Sequence, residues 1–555
     1  MFVPVAEVLP AKGRGGRRLS PRAKRRLARR ALQSAGLLAV SILAPLPARA
    51  LPQGGAVAAG SASISSNAST VTVNQSSPKA VINWQSFSIG AGQSVNFKQP
   101  GISSVTLNRV IGSDPSQIFG RLTSNGQIFL INPNGILFAP GAEVDVGGLV
   151  ASTLGMSNGN FLAGNYQFEG ISTAAVVSYA KLKAFNGGYI AFIGRSVDNE
   201  GQISTPGGTT ALGAGGAVTL TLAGNTLVSF QVTAAALNAQ VKNGGVIVAS
   251  NGAVLLTAQA KNALLETVVN NTGMIQANSA TSNGGVVTLL GGGSGTVAVS
   301  GSIAANSSAA KGGTVVVSGA NAAVSGTAYI SATGKTGGGA IAIGGGGGGN
   351  IPQAVTTSVA AGAVLNASAT GSGAGGTVSV WSTVKNPASL TTVSGTILAN
   401  GAGTGAGGFV ETSGHQLQVN GANVQTAGGN GAAGTWLLDP YNVTISSNAS
   451  GTAFSTNYTP GQPSTIQNSA IDAALNAGDN VTITTGAGGS SNGDITVSAP
   501  VSWSSWKTLT LDAAGNIFVN ASIAATGTSG TPGLVFDYGQ SSANGAGASY
   551  TINAP

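Results

Sequence analysis

A chain of 555 residues with 87 glycines, no cysteine, one histidine and 7% charged residues excludes thiolate chemistry and leaves little from which to build a metal centre. The formal charge of +9 suggests a nucleic-acid binder until it is divided along the chain: eleven of the 24 Lys and Arg lie in residues 1–50 beside one acidic residue, leaving 13 basic and 14 acidic residues after that point. Nucleic acid is therefore not an expected partner. The remainder, rich in Val, Ala, Thr, Ser and Asn and poor in helix formers, should be all-β.

Residues 1–50 read as a signal peptide. Lys12 to Arg30 is basic, Ala31 to Ala44 is apolar, and Ala48-Arg49-Ala50 has the small-x-small form that signal peptidase accepts, so Ala48 and Ala50 mark the cleavage site. An apolar run of about 14 residues is too short to span a bilayer, which takes roughly 20. The lack of cysteine suits export through an oxidising periplasm, where stray thiols would crosslink a chain that must stay unfolded.

From residue 51 onward two short units alternate. One has the form Gly-Gly-x-Val-x-Val, as in Gly244-Gly245-Val246-Ile247-Val248, Gly284-Gly285-Val286-Val287 and Gly312-Gly313-Thr314-Val315-Val316-Val317. The other has the form Gly-x-Ile-x-Ala, as in Gly273-Met274-Ile275-Gln276-Ala277 and Gly301-Ser302-Ile303-Ala304-Ala305. Both return after 28 residues, from Gly273 to Gly301 and from Gly284 to Gly312. Two short strands repeating with their corners predict a right-handed parallel β-helix, a solenoid in which alternate side chains enter a narrow interior and corner Gly or Asn take positive φ. About 450 residues at roughly 20–28 per coil would give on the order of 20 coils and a rod near 100 Å. A β-sandwich, the competing all-β form, would show longer strands and no double repeat.

Three regions follow in order. Residues 51–300 carry fewer glycines and most of the phenylalanines, as expected of a well-packed amino-terminal domain. Residues 301–435 are nearly low-complexity, with the run Gly344–Gly349 read as a loop extruded from a coil. In residues 436–555 strand signals return at Val443-Thr444-Ile445, Val481-Thr482-Ile483 and Leu509-Thr510-Leu511.

The stretch from Val81 to Val150 is the densest in information. Asn125-Gly126 and Asn134-Gly135 bracket Gln127-Ile128-Phe129-Leu130-Ile131, a strand between two tight turns. Asn132-Pro133-Asn134-Gly135 suits a type I turn, with Asn first, Pro fixing φ second and Gly fourth. Here the chain resembles the filamentous haemagglutinin family of two-partner-secreted exoproteins. The resemblance runs through Ala50-Leu51-Pro52-Gln53-Gly54-Gly55, Asn83-Trp84-Gln85-Ser86-Phe87-Ser88-Ile89-Gly90, Leu107-Asn108-Arg109-Val110, Ile131-Asn132-Pro133-Asn134-Gly135-Ile136 and Leu149-Val150-Ala151-Ser152-Thr153-Leu154, covering about residues 51–200 closely.

That resemblance implies an amino-terminal capping secretion domain over residues 51–300. It also implies an outer-membrane β-barrel transporter with periplasmic polypeptide-transport-associated domains as partner, and a protein exported through Sec and the periplasm to the surface or surroundings of a Gram-negative bacterium. In the family the Asn-Pro-Asn turn and the preceding Asn-Arg-Val segment are implicated in export, which makes Asn108, Arg109, Asn132, Pro133, Asn134 and Gly135 the candidates here, by direct recognition or by folding. It further implies that the start codon lies upstream of Met1, since Val3 to Gly15 looks like the tail of an extended signal peptide. Thr551 to Pro555 ends in strand-like sequence without a polar cap, as expected of a fragment of a longer adhesin.

Other motifs carry less. Trp436 to Ile445 looks like a segment of large adhesins in the family and equally like a packed aromatic corner. Asn442 and Asn448 head Asn-x-Ser/Thr sites that such a composition produces by chance. His415 beside Ser413 lacks a third partner; Gly371 to Gly376 fits G-x-G-x-x-G without a following helix; and Gly334-Lys335-Thr336 lacks the first glycine of a phosphate loop. Glu143 and Asp145 are a close acidic pair in the amino-terminal domain and the footing for a pectate-lyase-like polysaccharide enzyme. The expectation is thus a non-enzymatic exoprotein without cofactor, an adhesin or its amino-terminal fragment, directed at an unidentified surface glycan or protein receptor. A toxin or contact-dependent inhibitor behind the same export domain is the alternative cargo.

Overall fold

The computed structural model describes residues 51–261, 267–346, 352–447, 464–486, 492–527, 530–541 and 547–554. The expected signal peptide with Ala48 and Ala50, the Asn448 site and residues 347–349 of the glycine run lie outside them.

The described chain winds as a parallel β-helix. Met274–Gln276, Val286–Leu290 and Thr296–Val299 of one coil lie in parallel register on Ser302–Ala304, Thr314–Ser318 and Asn321–Val324 of the next. The first two pairs meet at the 28-residue spacing seen in the sequence. The third strand of each coil escaped the sequence reading, because Thr-Val-Ala-Val and Asn-Ala-Ala-Val share no leading glycine pair. Among the described residues these third strands stack into a sheet of sixteen, a ladder of about 70 Å at the usual interstrand spacing. The rod is shorter than the expected 100 Å because several coils carry insertions. Parallel pairing continues across residue 300 and across residue 435.

Alternation explains the interior. Ile275, Ile303, Ile330, Leu365, Ile397 and Val424 occupy equivalent rungs, are all buried and stack into one aliphatic column. Each such side chain contributes roughly 1.5–3 kcal/mol on leaving water. The glycine pairs have a different explanation from the one expected. Gly252, Gly285, Gly313, Gly376 and Gly408 are absent from the positive-φ residues. A Cβ on Gly313 would lie 2.0 Å from the carbonyl oxygen of Gly285, and one on Gly285 would lie 2.1 Å from that of Gly252. Glycine recurs at this corner because backbone passes over backbone there and no side chain fits between.

The amino-terminal end is closed by a change of strand direction. Ala56–Ala59 and Ala62–Ser66 pair antiparallel with Lys79–Trp84 and Thr70–Gln75. Those two strands then present parallel edges to Val105–Val110 and Ser94–Lys98 of the next coil.

A second core lies outside the coil. Helix α1 (Asn158–Ala163) and an antiparallel sheet of Tyr166–Glu169, Ala217–Ala223 and Thr226–Ala234 cover the outer face of Val105–Val110, Gln127–Ile131, Glu143–Ser152 and Lys181–Gly194. They bury Leu107, Phe129, Val150, Phe161, Phe168, Tyr189 and Phe230 together. This is why every residue of Gln127–Ile131 is buried: the strand is covered on both faces.

Towards the carboxyl end, Ser464–Gln467 inserts between Gln416–Val419 and Val443–Ser446 although it follows both in sequence. Helix α2 (Asn468–Ala477) comes next, with Ile471 and Leu475 buried. Among the described residues two short helices thus interrupt a chain expected to be all-β, both at insertions rather than in the repeat.

Candidate functional site

The candidate residues occupy two adjacent rungs. Val105–Val110 and Gln127–Ile131 pair in parallel, setting Asn108 against Leu130 and Arg109 against Ile131, directly before Asn132. Two motifs separated in sequence therefore meet in the fold.

Alternation sends their side chains apart. Asn108 points into the coil and is fully buried; its Oδ1 accepts from Trp84 Nε1 at 3.0 Å, and its Nδ2 donates to the carbonyls of Thr106 and Phe129, each at 3.4 Å. No partner protein can reach it. Arg109 points outward and is half-buried. Its guanidinium donates to Asn83 Oδ1 at 3.3 Å, Asn158 Oδ1 at 2.8 Å and the Met156 carbonyl at 2.6 Å, lashing α1 and its approach to the coil. At the other end of α1, the Lys79 ammonium donates to the carbonyls of Phe161 and Leu162 at 3.2 and 2.8 Å, where the helix dipole favours a cation.

The chain reverses at Asn132 as its residues predict. The Gly135 amide donates to the Asn132 carbonyl at 3.1 Å, and the Asn134 amide donates to Asn132 Oδ1 at 2.9 Å. Gly135 holds φ at +114°, open to glycine but strained for other residues. The same side chains brace neighbouring coils. Asn132 Nδ2 donates to the Asp114 carbonyl at 2.9 Å and to Ser116 Oγ at 3.0 Å, while Asn134 Nδ2 donates to the Gly112 carbonyl at 2.9 Å. From the following coil, Ser172 Oγ donates to the Pro133 carbonyl at 2.6 Å. Asn132 and Gly135 are buried, whereas Pro133 and Asn134 are exposed.

Beside this turn stand two residues the sequence did not single out. Ile111 is 54% exposed and Ile171 is 98% exposed. An isolated isoleucine after a strand carries no signal of its own, so only the stacked coils reveal the pair.

The remaining candidates fall into ordinary surroundings. Glu143 and Asp145 share an outer face as alternation requires. Glu143 lies in register between Arg121 and Lys181, and Asp145 between Thr123 and Lys183. His415 stacks on Tyr441 at 4.3 Å between centroids, with Nδ1 3.0 Å from the Val384 carbonyl. Trp436 lies in the core and donates to Thr412 Oγ1 at 3.1 Å, and Asn442 Oδ1 accepts from the Asp494 amide at 2.9 Å. A strand, Thr377–Trp381, follows the Gly371–Gly376 run, and the Ser372 amide donates to the Lys335 carbonyl of the preceding corner at 2.8 Å. Both glycine motifs are stacked corners.

Two carboxyl groups farther along titrate unusually. Burial, with Glu411 and Asp512 adding repulsion, raises Asp439 to about 6. Burial also raises Asp479 to about 6, against the hydrogen bond its Oδ1 accepts from the Thr426 amide at 2.6 Å.

Residues 48–303 match the family described as the TPS secretion domain. The crystal structure of the HMW1 secretion domain from Haemophilus influenzae superposes with a TM-score of 0.61 at 33% identity, over 70% of this chain and 100% of that one. A heme/hemopexin-binding protein of Haemophilus influenzae (strain KW20/Rd) is 37% identical over 214 residues, 37% of this chain and 23% of that protein. Another protein of the same name from Haemophilus influenzae is 46% identical over 101 residues, 18% of this chain and 11% of that one. The chain thus covers less than a quarter of the length of either curated relative.

Proposed function

The chain belongs, through residues 48–303, to the family of TPS secretion domains, and from that premise we propose that it is a surface adhesin of a two-partner secretion system. Exoproteins of this family are secreted through the outer membrane of Gram-negative bacteria, with an outer-membrane transporter as partner. The observation that carries the export reading is the likeness to the HMW1 secretion domain over that domain's whole length. Adhesion is supported by the architecture beyond it, a solenoid whose long, regular ladder faces are suited to contacting a surface. A non-enzymatic role is supported by Glu143 and Asp145, which face basic or hydroxyl neighbours across the strands rather than each other across a cleft.

Within the secretion domain we assign Asn108 and Arg109 to folding, Asn132 and Gly135 to shaping the corner, and Pro133 and Asn134 to recognition. Secretion of Asn134→Ala by the transporter that exports the unaltered chain, measured beside refolding of the same variant, tests the assignment. Normal refolding with lost export is the expected result; parallel loss of both would assign Asn134 to folding instead.

A second reading takes its support from the relatives' name. Capture of heme or hemopexin by this chain would appear as a Soret shift on mixing with hemin, or as retention on immobilised hemopexin. Absence of both leaves adhesion as the reading.

A further inference from the structure

The chain holds two aspartyl-prolyl bonds, Asp114–Pro115 and Asp439–Pro440. Proline lacks an N–H, so its nitrogen cannot close an imide on the aspartate side chain. The intramolecular route left to such a bond is attack of the carboxyl oxygen on the peptide carbonyl. The fold treats the two bonds differently. Asp114 and Pro115 are both exposed, whereas Asp439 ends the strand Thr435–Asp439 half-buried and Pro440 is buried. Backbone hydrogen bonds fix the second bond on either side: the Gly414 amide donates to the Asp439 carbonyl and the Gly486 amide to the Pro440 carbonyl, each at 3.3 Å. The first of these polarises the carbonyl that would be attacked. Asp439 lies in register with Ser413, and Asp512 and Asp537 stand in register with each other beginning two coils on. Glu411 and Asp512 face its carboxyl, the intervening strand Asn480–Thr484 carries no ionisable side chain, and His415 stacks on Tyr441 at the corner beyond. Burial and the two acids raise Asp439 to about 6.

We propose that Asp439–Pro440 is a site of self-cleavage, at which the Asp439 carboxyl attacks its own peptide carbonyl. A carboxyl oxygen bonds to the carbonyl carbon, the C–N bond to Pro440 breaks, and the carboxyl proton passes to the proline nitrogen. A five-membered cyclic anhydride is left on residue 439 and a secondary amine on Pro440. Water then opens the anhydride and restores Asp439 with a free α-carboxyl, so one water is consumed overall and nothing is oxidised or reduced. The reacting carboxyl carries one proton, which is where the acid neighbours act: repulsion from Glu411 and Asp512 keeps that proton in place where an ordinary aspartate has lost it. At pH 5 a carboxyl titrating at about 6 is protonated roughly fifteen times as often as one titrating at 3.8. The cut leaves the stack intact, because Thr435–Asp439 and Val443–Ser446 each stay paired with other coils. The two pieces therefore separate only when the protein is denatured.

The test incubates the purified full-length chain near pH 5 and near pH 8 and follows it by denaturing gel electrophoresis and mass spectrometry. The expected products end at Asp439 and begin at Pro440, with one water added between them. Cutting should be on the order of a hundred-fold faster near pH 5 than near pH 8, while the exposed Asp114–Pro115 bond stays whole over the same period. Asp439→Asn and Pro440→Ala should abolish it, and Asp512→Asn, which removes a repelling charge and leaves the bond unaltered, should move the pH profile down. Circular dichroism shows whether each variant is folded. The unaltered chain unfolded in urea near pH 5 supplies an arm that needs no substitution, and should be cut at least about ten-fold more slowly. Equal cutting at the two aspartyl-prolyl bonds, or equal cutting in urea, would overturn the proposal. So would a cut that persists in folded Asp439→Asn, which would reveal a contaminating protease, or an unaltered chain still whole after several days near pH 5.

Discussion

At Asn108 and Gly313 the reason for a residue type lies in what the neighbouring coil leaves room for. Asn108 supplies the acceptor for the buried Trp84 indole. Replacing it with Ala leaves that N–H without a partner inside the coil, a loss of about 2–3 kcal/mol. The denaturation midpoint of Asn108→Ala should fall with an unchanged slope, and secretion should fall only as far as stability does. Gly313→Ala asks for more, because its Cβ would sit 2.0 Å from the Gly285 carbonyl oxygen. The coil must open locally, at a cost of about 3 kcal/mol or more. New protease cleavage between residues 284 and 340 would report it, while cleavage confined to existing sites would show that the corner can yield. The turn at Asn132–Gly135 was legible from four adjacent residues because its hydrogen bonds are local. The inward face of Asn108 was not, since Trp84 reaches it from the preceding coil.

Between elements, the decisive contact is the covering layer over the secretion domain. Helix α1 is six residues long, too short to persist alone, and is held by Phe161 in the outer core, by Lys79 at its carboxyl end and by Arg109 at its amino end. Arg109→Ala removes three hydrogen bonds from the guanidinium, a local loss of about 2 kcal/mol. Amide exchange in residues 157–169 should quicken by on the order of ten-fold while the inner ladders stay protected. Uniform quickening across the secretion domain would mean that cover and coil unfold as one. Repeat spacing and alternation revealed the inner strands, but the cover is a single insertion without repetition. Its one trace in the sequence is the apolar run Ile128–Ile131.

Over the whole molecule, two acidic groups of the carboxyl-terminal coils bind protons more tightly when folded. Asp439 and Asp479 rise from 3.8 to about 6. A carboxyl whose folded pKa lies above its unfolded value contributes stability that is complete below pH 3.8 and is lost as pH climbs through about 6. The shift corresponds to about 3 kcal/mol for each group. The coils from Glu411 to Asp537 should therefore be more resistant to denaturant near pH 4.5 than at pH 7.5, and Asp479→Asn should flatten much of that dependence. A pH-independent midpoint for those coils would show that both groups titrate normally.

Composition and the double repeat determined by themselves that this is a parallel β-helix, because stacking repeats one coil's chemistry at fixed intervals and leaves it written along the chain. The ordered motifs from Leu51 to Leu154 determined its family for the same reason. Only the tertiary structure decided which face of each strand is buried twice, why the corner glycines are required, and that Ile111 and Ile171 flank the Asn132–Gly135 turn. Those facts depend on backbone and side chains from different coils meeting across the stack, and no local stretch of sequence records such a meeting.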